Sequence, residues 1–293
     1  MYDIENLYIA YSVEEAVRAL RERPGAKPVA GGTDILVSVR EGKLAGCSLV
    51  DIRNIDELRG ISSEEGAVRI GPLTTFSQLA EDKLIMEFVP ILAEAALTVG
   101  GPQLRNTGTI GGNIANGATS ADMAPALLAL NAELTLVSPT GVRCLPLTRF
   151  YVSAGKTVLA PDELITGLSV SVADYEGYFG HYVKYSQRNA MDIATLSCAC
   201  LCKLSPDRRT VIDVRLAFGV AGPVPMRAFQ TEEKIRGLSL REALVAVGKL
   251  AAEEIDPRTS WRASREFRLA LAQELSRRTL EKAVLTGGGV FDV

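Results

Sequence analysis

The sequence predicts an α+β protein in two parts. Three observations carry that expectation. The first half of the chain interleaves short strand-like runs with amphipathic helical stripes. At Asp174–Gly180 (DYEGYFG) the composition turns polar and glycine-bearing, which marks a boundary. Beyond it, strand-like runs come first and helix-like runs after, an order typical of α+β domains. A chain of 293 residues is long enough for two domains. The expected units are 1–173, itself in two subdomains meeting near 55–60, and 180–293, with helices on an antiparallel three-stranded sheet.

The elements follow in order. Ser12–Arg23 reads as a helix, because Ser12 and Glu15 are spaced as a capping box and Val13, Ala16, Val17 and Leu20 form one stripe. Pro24-Gly25 ends it. Pro28–Ala30 is strand-like, Gly31–Asp34 turns the chain, and Ile35–Val39 continues as helix. Leu49–Ile52 and Ala67–Ile70 read as strands. Thr75 and Gln78 offer a second capping box, and Pro90–Val99 is a helix stopped by Gly100-Gly101. Asp122 is a candidate N-cap for MAPALLALN, with Pro125 in the tolerant first turn. Ala132–Ser138 and Val142–Leu147 form a hairpin about Pro139-Thr140-Gly141, and Leu164–Val172 is a further strand. The second part gives strands at Tyr182–Gln187, Ala194–Leu204 and Val211–Val220. Helices follow over Leu240–Glu254, capped by Ser239 and Glu242, and over about Ser260–Leu285.

Composition excludes several classes. Net charge is −3, with 47% hydrophobic and 23% charged residues, so no basic field favours nucleic acid or an anionic membrane surface. No apolar run is long enough to span a bilayer, and MYDIENLYIAYSVEEAV lacks a basic stretch ahead of an apolar one; a cytoplasmic location is expected. The five cysteines, Cys47, Cys144, Cys198, Cys200 and Cys202, do not suggest a disulfide framework. The Cys198, Cys200, Cys202 triplet continues a period-2 apolar set with Ala194, Leu196 and Leu204, which is one buried strand face. With one histidine, His181, the chain has little material for metal sites or catalytic triads. Arg262, Arg265, Arg268, Arg277 and Arg278 are expected on a mostly solvated helix face.

The most informative segment is Gly100–Asp122, GGPQLRNTGTIGGNIANGATSAD. It carries six glycines among Thr, Asn and Ser, and it reads as a loop about twice the usual length. Such a segment can nest N–H groups around an anion such as a pyrophosphate. A second glycine pair, in Ala30-Gly31-Gly32-Thr33-Asp34, sits at a strand end. Each pair alone is a weak signal; together they suggest a two-part phosphate cradle. Neither common nucleotide motif is present. Gly108, Gly111 and Gly112 lack the G-x-G-x-x-G spacing, and Gly155-Lys156-Thr157 has Phe150 where a P-loop needs glycine.

These segments resemble a known family: the FAD-binding (medium) subunits of molybdenum hydroxylases. Within it the chain looks closest to bacterial xanthine dehydrogenase FAD-binding subunits, alongside carbon monoxide dehydrogenase flavoproteins. The resemblance runs through AGGTDIL, VDIRNIDELRGI, RIGPLTTFSQL, the glycine-rich stretch, KYSQRNAMDIA, FGVAGPVPMR and SWRASREFR. It implies an FAD-binding domain of vanillyl-alcohol oxidase type, made of two α/β subdomains with FAD extended between them. Val29, Ala30, Gly31, Gly32, Thr33, Asp34 and Ile35, with Thr109, Gly111, Gly112 and Asn113, match positions that offer N–H groups to the pyrophosphate. Val99 and Gly100 match the adenine side, and Asn116 and Asp122 match positions holding polar parts of the cofactor. Ile165 and Lys184 match positions near FAD; strand core competes for Ile165 and a solvated strand charge for Lys184. Asp192 is equally readable as a turn cap. The resemblance further implies non-covalent FAD and no catalytic side chain. A molybdenum-cofactor large subunit and a [2Fe-2S] small subunit are the implied partners, with NAD+ the acceptor. A stand-alone FAD-dependent reductase or oxidase, and an FAD-free scaffold subunit, remain the alternatives.

Overall fold

The computed structural model describes residues 2–291. The chain opens with a parallel sheet of β1 (Ile4–Ile9), β2 (Lys27–Val29) and β3 (Cys47–Asp51), in the order β1-β3-β2. The Val13–Glu22 helix crosses over between β1 and β2. Its buried Ala16, Val17 and Leu20 join Val50, Ile52 and Ile55 in a small core of their own. Ser12 caps it by accepting from the Glu15 N–H, while the Glu15 carboxylate reaches out to the Tyr11 N–H at 2.8 Å. The expected capping box therefore closes one residue further out.

The second sheet is antiparallel. It contains β4 (Ile61–Glu64), β5 (Ala67–Ile70), β6 (Glu133–Ser138) and β7 (Gly141–Pro146). Beyond the small ribbon of β8 (Tyr151–Ser153) and β9 (Lys156–Thr157) comes β10 (Leu164–Ser171), which inserts between β5 and β6. One face packs on the helices Phe76–Glu81, Pro90–Leu97 and Met123–Ala129. Ile70, Leu134, Leu136, Leu168 and Val170 meet Leu92, Ala96 and Leu127 there. The capping box of Thr75 and Gln78 forms in both directions.

The third sheet has β11 (Phe179–Tyr185), β12 (Leu196–Leu204), β13 (Val211–Gly219) and the two-residue β14 (Met226–Arg227), all antiparallel in that order. The expected sheet has three strands; β14, preceded by Pro223 and Pro225, is too short to show periodicity. Both faces of β12 are buried. Cys198, Cys200 and Cys202 face Val247, Leu275 and Ala283 of the helices Leu240–Glu254 and Arg265–Thr286. Ala199 and Leu201 face the other way, into the core shared with Leu127. Burial pushes the Cys198 and Cys202 thiols up to about 12. These are packing residues, as their period implies.

Two helical expectations need correction. The last helix starts at Arg265, behind the cap Ser264, because Ser260–Ala263 forms a tight bridge instead. Arg268 is not on a solvated face: it is buried, donating to Thr195 O at 3.1 Å, to Ser260 Oγ at 2.8 Å and to Arg258 O. Arg277 and Arg278 do stay at the surface, paired with Glu274 and Glu281. None of the helices among the described residues is long and apolar enough to cross a membrane.

Candidate functional site

The two glycine segments, far apart in sequence, touch. A Cβ added to Gly31 would lie 1.9 Å from the Thr107 carbonyl oxygen and 3.1 Å from Gly108 Cα. Only a residue without a side chain lets the β2 turn approach that backbone so closely. Gly32 follows at φ +71°, a left-handed conformation that suits glycine. The main-chain N–H groups from Gly31 to Ile35 donate to no acceptor among the described residues. Such a run of unspent donors attracts an anion. The side chain of Asp34 makes no cap bond to the helix Ile35–Arg40 that it precedes.

The second segment is not the open loop that its composition suggests. It folds into two short helices, Pro102–Arg105 and Ile110–Ala115. Most of the N–H groups expected to face a pyrophosphate are committed within the protein. Ile110 N donates to Thr74 O at 3.0 Å, Gly111 N to Pro72 O at 2.9 Å, Gly112 N to Thr109 Oγ1 at 3.2 Å and Asn113 N to Thr109 O at 3.0 Å. Gly111 is needed for packing, since its Cβ would sit 2.4 Å from Pro72 Cβ; at exposed Gly112 a Cβ meets only Thr109 Oγ1, at 3.1 Å. Asn113 Oδ1 accepts from Met123 N at 3.3 Å, which leaves its amide N–H groups as donors, and Asn116 is exposed. Thr109's own N–H has no acceptor among the described residues. The donor row is therefore mainly that of the first segment.

Asp122 occupies the N-terminal position of the Met123–Ala129 helix but does not cap it. Its Oδ2 instead accepts from Lys184 Nζ at 3.0 Å, with the two side chains 11% and 7% exposed. Lys184 is thus a buried cation of β11, not a solvated one, and it also donates to Thr98 O at 3.1 Å. Burial raises the Asp122 carboxyl to about 6, against the opposing pull of Lys184. Its Oδ1 is buried without a partner among the described residues. Val99 and Gly100 lie at the end of the preceding helix, where Arg105 Nη1 donates to Leu97 O, Val99 O and Gly100 O at 3.2–3.4 Å. Met191 N donates to Gly100 O at 3.4 Å, joining the β11–β12 connection to the same spot. Asp192 closes that connection, accepting from Arg188 N and Ile193 N at 2.9 Å.

Ile165 stands apart: its side chain lies in the core of the second sheet, beside a register shift at Gly167. A groove of about 400 Å³ on that sheet, lined by Arg59, Ser62, Arg69, Thr135 and Thr166, contains none of the expected site residues. Sequence reasoning missed Arg105, Met191 and Tyr182. The i, i+2 spacing of Tyr182 and Lys184 on one strand was the available signal for the last.

The arrangement fits an extended, anionic, polar-ended cofactor. It offers five consecutive free N–H groups, an orphaned carboxylate oxygen and a buried ammonium. It has no group of three or more His, Cys, Asp or Glu suited to a metal ion among the described residues.

Comparison with known proteins agrees. The family profile described as "FAD binding domain in molybdopterin dehydrogenase" matches residues 2–172, and "CO dehydrogenase flavoprotein C-terminal domain" matches residues 181–283. The chain is 40% identical over 291 residues to the xanthine dehydrogenase FAD-binding subunit of Escherichia coli O157:H7, covering 99% of each chain. It is 31% identical to the carbon monoxide dehydrogenase medium chain of Hydrogenophaga pseudoflava, over 93% of this chain and 94% of that one. A solved carbon monoxide dehydrogenase from the same organism superposes with a TM-score of 0.92 at 30% identity, covering 97% of this chain and 98% of that chain. From its glycine cradle to its C-terminal sheet, the chain belongs to the FAD-binding medium subunits of the molybdenum hydroxylases and is an oxidoreductase subunit.

Proposed function

We propose that this chain is the electron-transfer flavoprotein of a xanthine dehydrogenase-like complex, holding FAD non-covalently. The observation that carries the reading is the row of unspent N–H groups from Gly31 to Ile35, whose first residue presses on the Thr107–Gly108 backbone. These groups, with Val29, Ala30 and the Thr109 N–H, would hold the pyrophosphate. Gly111 shapes the backbone behind them, and Gly112 leaves the approach open. The amides of Asn113 and Asn116 would meet polar parts of the cofactor, and Val99 and Gly100 its adenine side. Lys184, paired with Asp122 in the flavin-free chain, would turn its ammonium toward the flavin. Ile165 would contribute through its backbone, since its side chain is core.

Bound FAD supplies the conversion between one-electron and two-electron transfer. The protein's part is to bind, orient and shield it. Electrons would arrive from [2Fe-2S] clusters of a small partner, drawn from substrate at the molybdenum cofactor of a large one, and leave to NAD+. The segment 1–173 would carry the cofactor, and 180–293 would cover the cleft and meet partners, in the cytoplasm. Non-covalent attachment is supported by His181, engaged with Glu94 at 3.0 Å, and by Cys198, Cys200 and Cys202, which are buried.

The test is purification from the native host. The chain should arrive with two partners, a yellow spectrum, and FAD that is freed by acid precipitation. Purine-dependent NAD+ reduction should need the whole complex. Flavin that stays with the precipitate, or purine oxidation by the isolated chain, would reject the reading.

A further inference from the structure

Beneath the Asp122–Lys184 pair lies a tier of polar atoms that the proposed function leaves unused. Tyr182 precedes Lys184 by two residues and shares its face of β11. Ser197 is the β12 partner of Lys184, and Gly219 is the β13 partner of Ser197. Tyr182, Thr195 and Ser197 are 4%, 1% and 0% exposed. Their hydroxyl oxygens, like Asp122 Oδ1, have no hydrogen-bond partner among the described residues. The Tyr182 hydroxyl lies close enough to Asp122, Ser197 and Thr98 for all three to act on its ionisation, yet it makes no hydrogen bond of ordinary geometry to any of them. Ser197 Oγ packs on bare backbone: a Cβ on Gly219 would lie only 2.5 Å from it. Buried hydroxyls are rarely left unpaired, and four orphaned oxygens on neighbouring residues ask for a reason.

Lys184 gives the reason. One of its three N–H groups is on Asp122 and one on Thr98 O. If the ammonium turns toward a bound flavin, Asp122 loses its only formed hydrogen bond in a buried setting. A carboxylate so stranded takes up a proton and ceases to hold the lysine. The phenol beside it is a donor that can replace the ammonium. It stays neutral, because burial and the nearby Asp122 charge both oppose its ionisation.

We propose that Tyr182 is a positioning residue for the Asp122–Lys184 pair, its hydroxyl donating to Asp122 Oδ1 when Lys184 turns to the flavin, with Ser197 as the neighbour that orients the phenol. This rests on the FAD reading above. Few other charges face the spot. The Pro90–Leu97 helix brings Glu94, which accepts from Tyr182 N at 2.8 Å and pairs with His181. The helix start brings Asp122, β11 brings Lys184, and β12 and β13 bring the uncharged Ser197 and Gly219. Cys198 and Cys200 point into the opposite core.

The experiment is FAD binding to the full-length chain, followed by flavin fluorescence across a pH series, with the melting of the flavin-free chain as control. Wild type should lose FAD as the pH falls through the range where Asp122 takes up its proton. Tyr182→Phe should move that midpoint upward by about half a pH unit, an affinity loss of about threefold on the flank, with little change in melting. Ser197→Ala should shift it less, in the same direction. Asp122→Asn, which has no carboxyl to titrate, should bind FAD weakly and alike at every pH, and Tyr182→Phe should not weaken that residual binding further. A Tyr182→Phe profile that overlays wild type overturns the proposal, as does an affinity loss of about threefold on adding Tyr182→Phe to Asp122→Asn. Should Tyr182→Phe fail to fold, a Ser197→Ala profile that overlays wild type overturns it instead. A wild-type chain that binds no FAD at any pH fails the FAD reading itself, a result distinct from either.

Discussion

Replacing the buried ion pair by a neutral one, Asp122→Asn with Lys184→Met, should stabilise the flavin-free chain while abolishing flavin retention. The two side chains are 11% and 7% exposed and 3.0 Å apart, so solvent screens them little. Burial lifts the Asp122 carboxyl from 3.8 to about 6 even with Lys184 in place. At about pH 7.5, keeping it ionised therefore costs roughly 3 kcal/mol relative to the unfolded chain. The folded chain holds this proton to higher pH than the unfolded chain does. Stability from this group is thus greatest below the ordinary carboxylate value of 3.8 and falls as the pH rises to about 6. Asp122→Asn alone strands Lys184 with Thr98 O as its formed acceptor, and breaking a buried pair on one side costs about 3–5 kcal/mol. The double exchange removes both charges and should be neutral to stabilising by about 1–4 kcal/mol. That predicts a melting midpoint up to roughly 8 °C above wild type at about pH 7.5, at roughly 2 °C per kcal/mol. The gap should narrow toward about pH 4, where Asp122 is protonated in the folded chain and half-protonated in the unfolded one. Thermal melts followed by circular dichroism measure this. A double variant that melts below wild type at neutral pH, or a gap indifferent to pH, would refute the reasoning.

Other outcomes follow from the same geometry. Gly31→Ala should lose flavin and melt early, since its methyl meets the rigid Thr107 carbonyl at 1.9 Å; full flavin occupancy in that variant would show that the contact yields. Gly111→Ala should destabilise by about 1–3 kcal/mol through Pro72, whereas Gly112→Ala should fold and melt like wild type. In a thiol-labelling time course on the native chain, exposed Cys144 should react first and Cys198, Cys200 and Cys202 only on unfolding; early labelling of any of the three would contradict their burial. Arg268→Met should cost about 1–3 kcal/mol in chemical denaturation, because Thr195 O and Arg258 O lose a buried donor. Lysine at that position should not restore wild-type stability, because it lacks the planar fork that reaches all three acceptors.

Locally encoded features were legible in the sequence. Thr75 with Gln78 and Ser239 with Glu242 form both halves of their capping boxes, because the partners sit three residues apart and need nothing else. The cysteine strand was legible for the same reason: period 2 is a property of one segment. Sheet order was not. The placement of β10 between β5 and β6 is a long-range pairing with no local signature, and β1, β4 and the helix Phe229–Ile235 are too short or too mixed to stand out. The glycine pairs stood out in the sequence, but not the different work each glycine does. Gly31 admits a neighbouring backbone and Gly111 admits Pro72, which only tertiary contact decides. Asp122 carries the composition of a helix cap. It becomes half of an ion pair because Lys184, above Ser197 and Gly219, has a buried place to sit.

The double burial of β12 has a mechanical consequence. A sheet that serves as a common wall for two cores cannot act as a hinge between them, so Lys184 is fixed relative to the Met123–Ala129 helix. The opening parallel sheet is attached differently. Its separate core reaches the rest of the molecule through Leu73 and Leu164, with Val137 partly covered against it. If the cleft must part to admit a long cofactor, the yielding seam is this narrow one, and the Gly31–Ile35 donors travel with the part that swings. Cofactor loading would then come in two steps, an outward swing of this opening part and its closure on the bound cofactor. Amide exchange in the Ala10–Leu58 core, faster without FAD than with it while β12 stays protected in both, is the expected trace of that order of events.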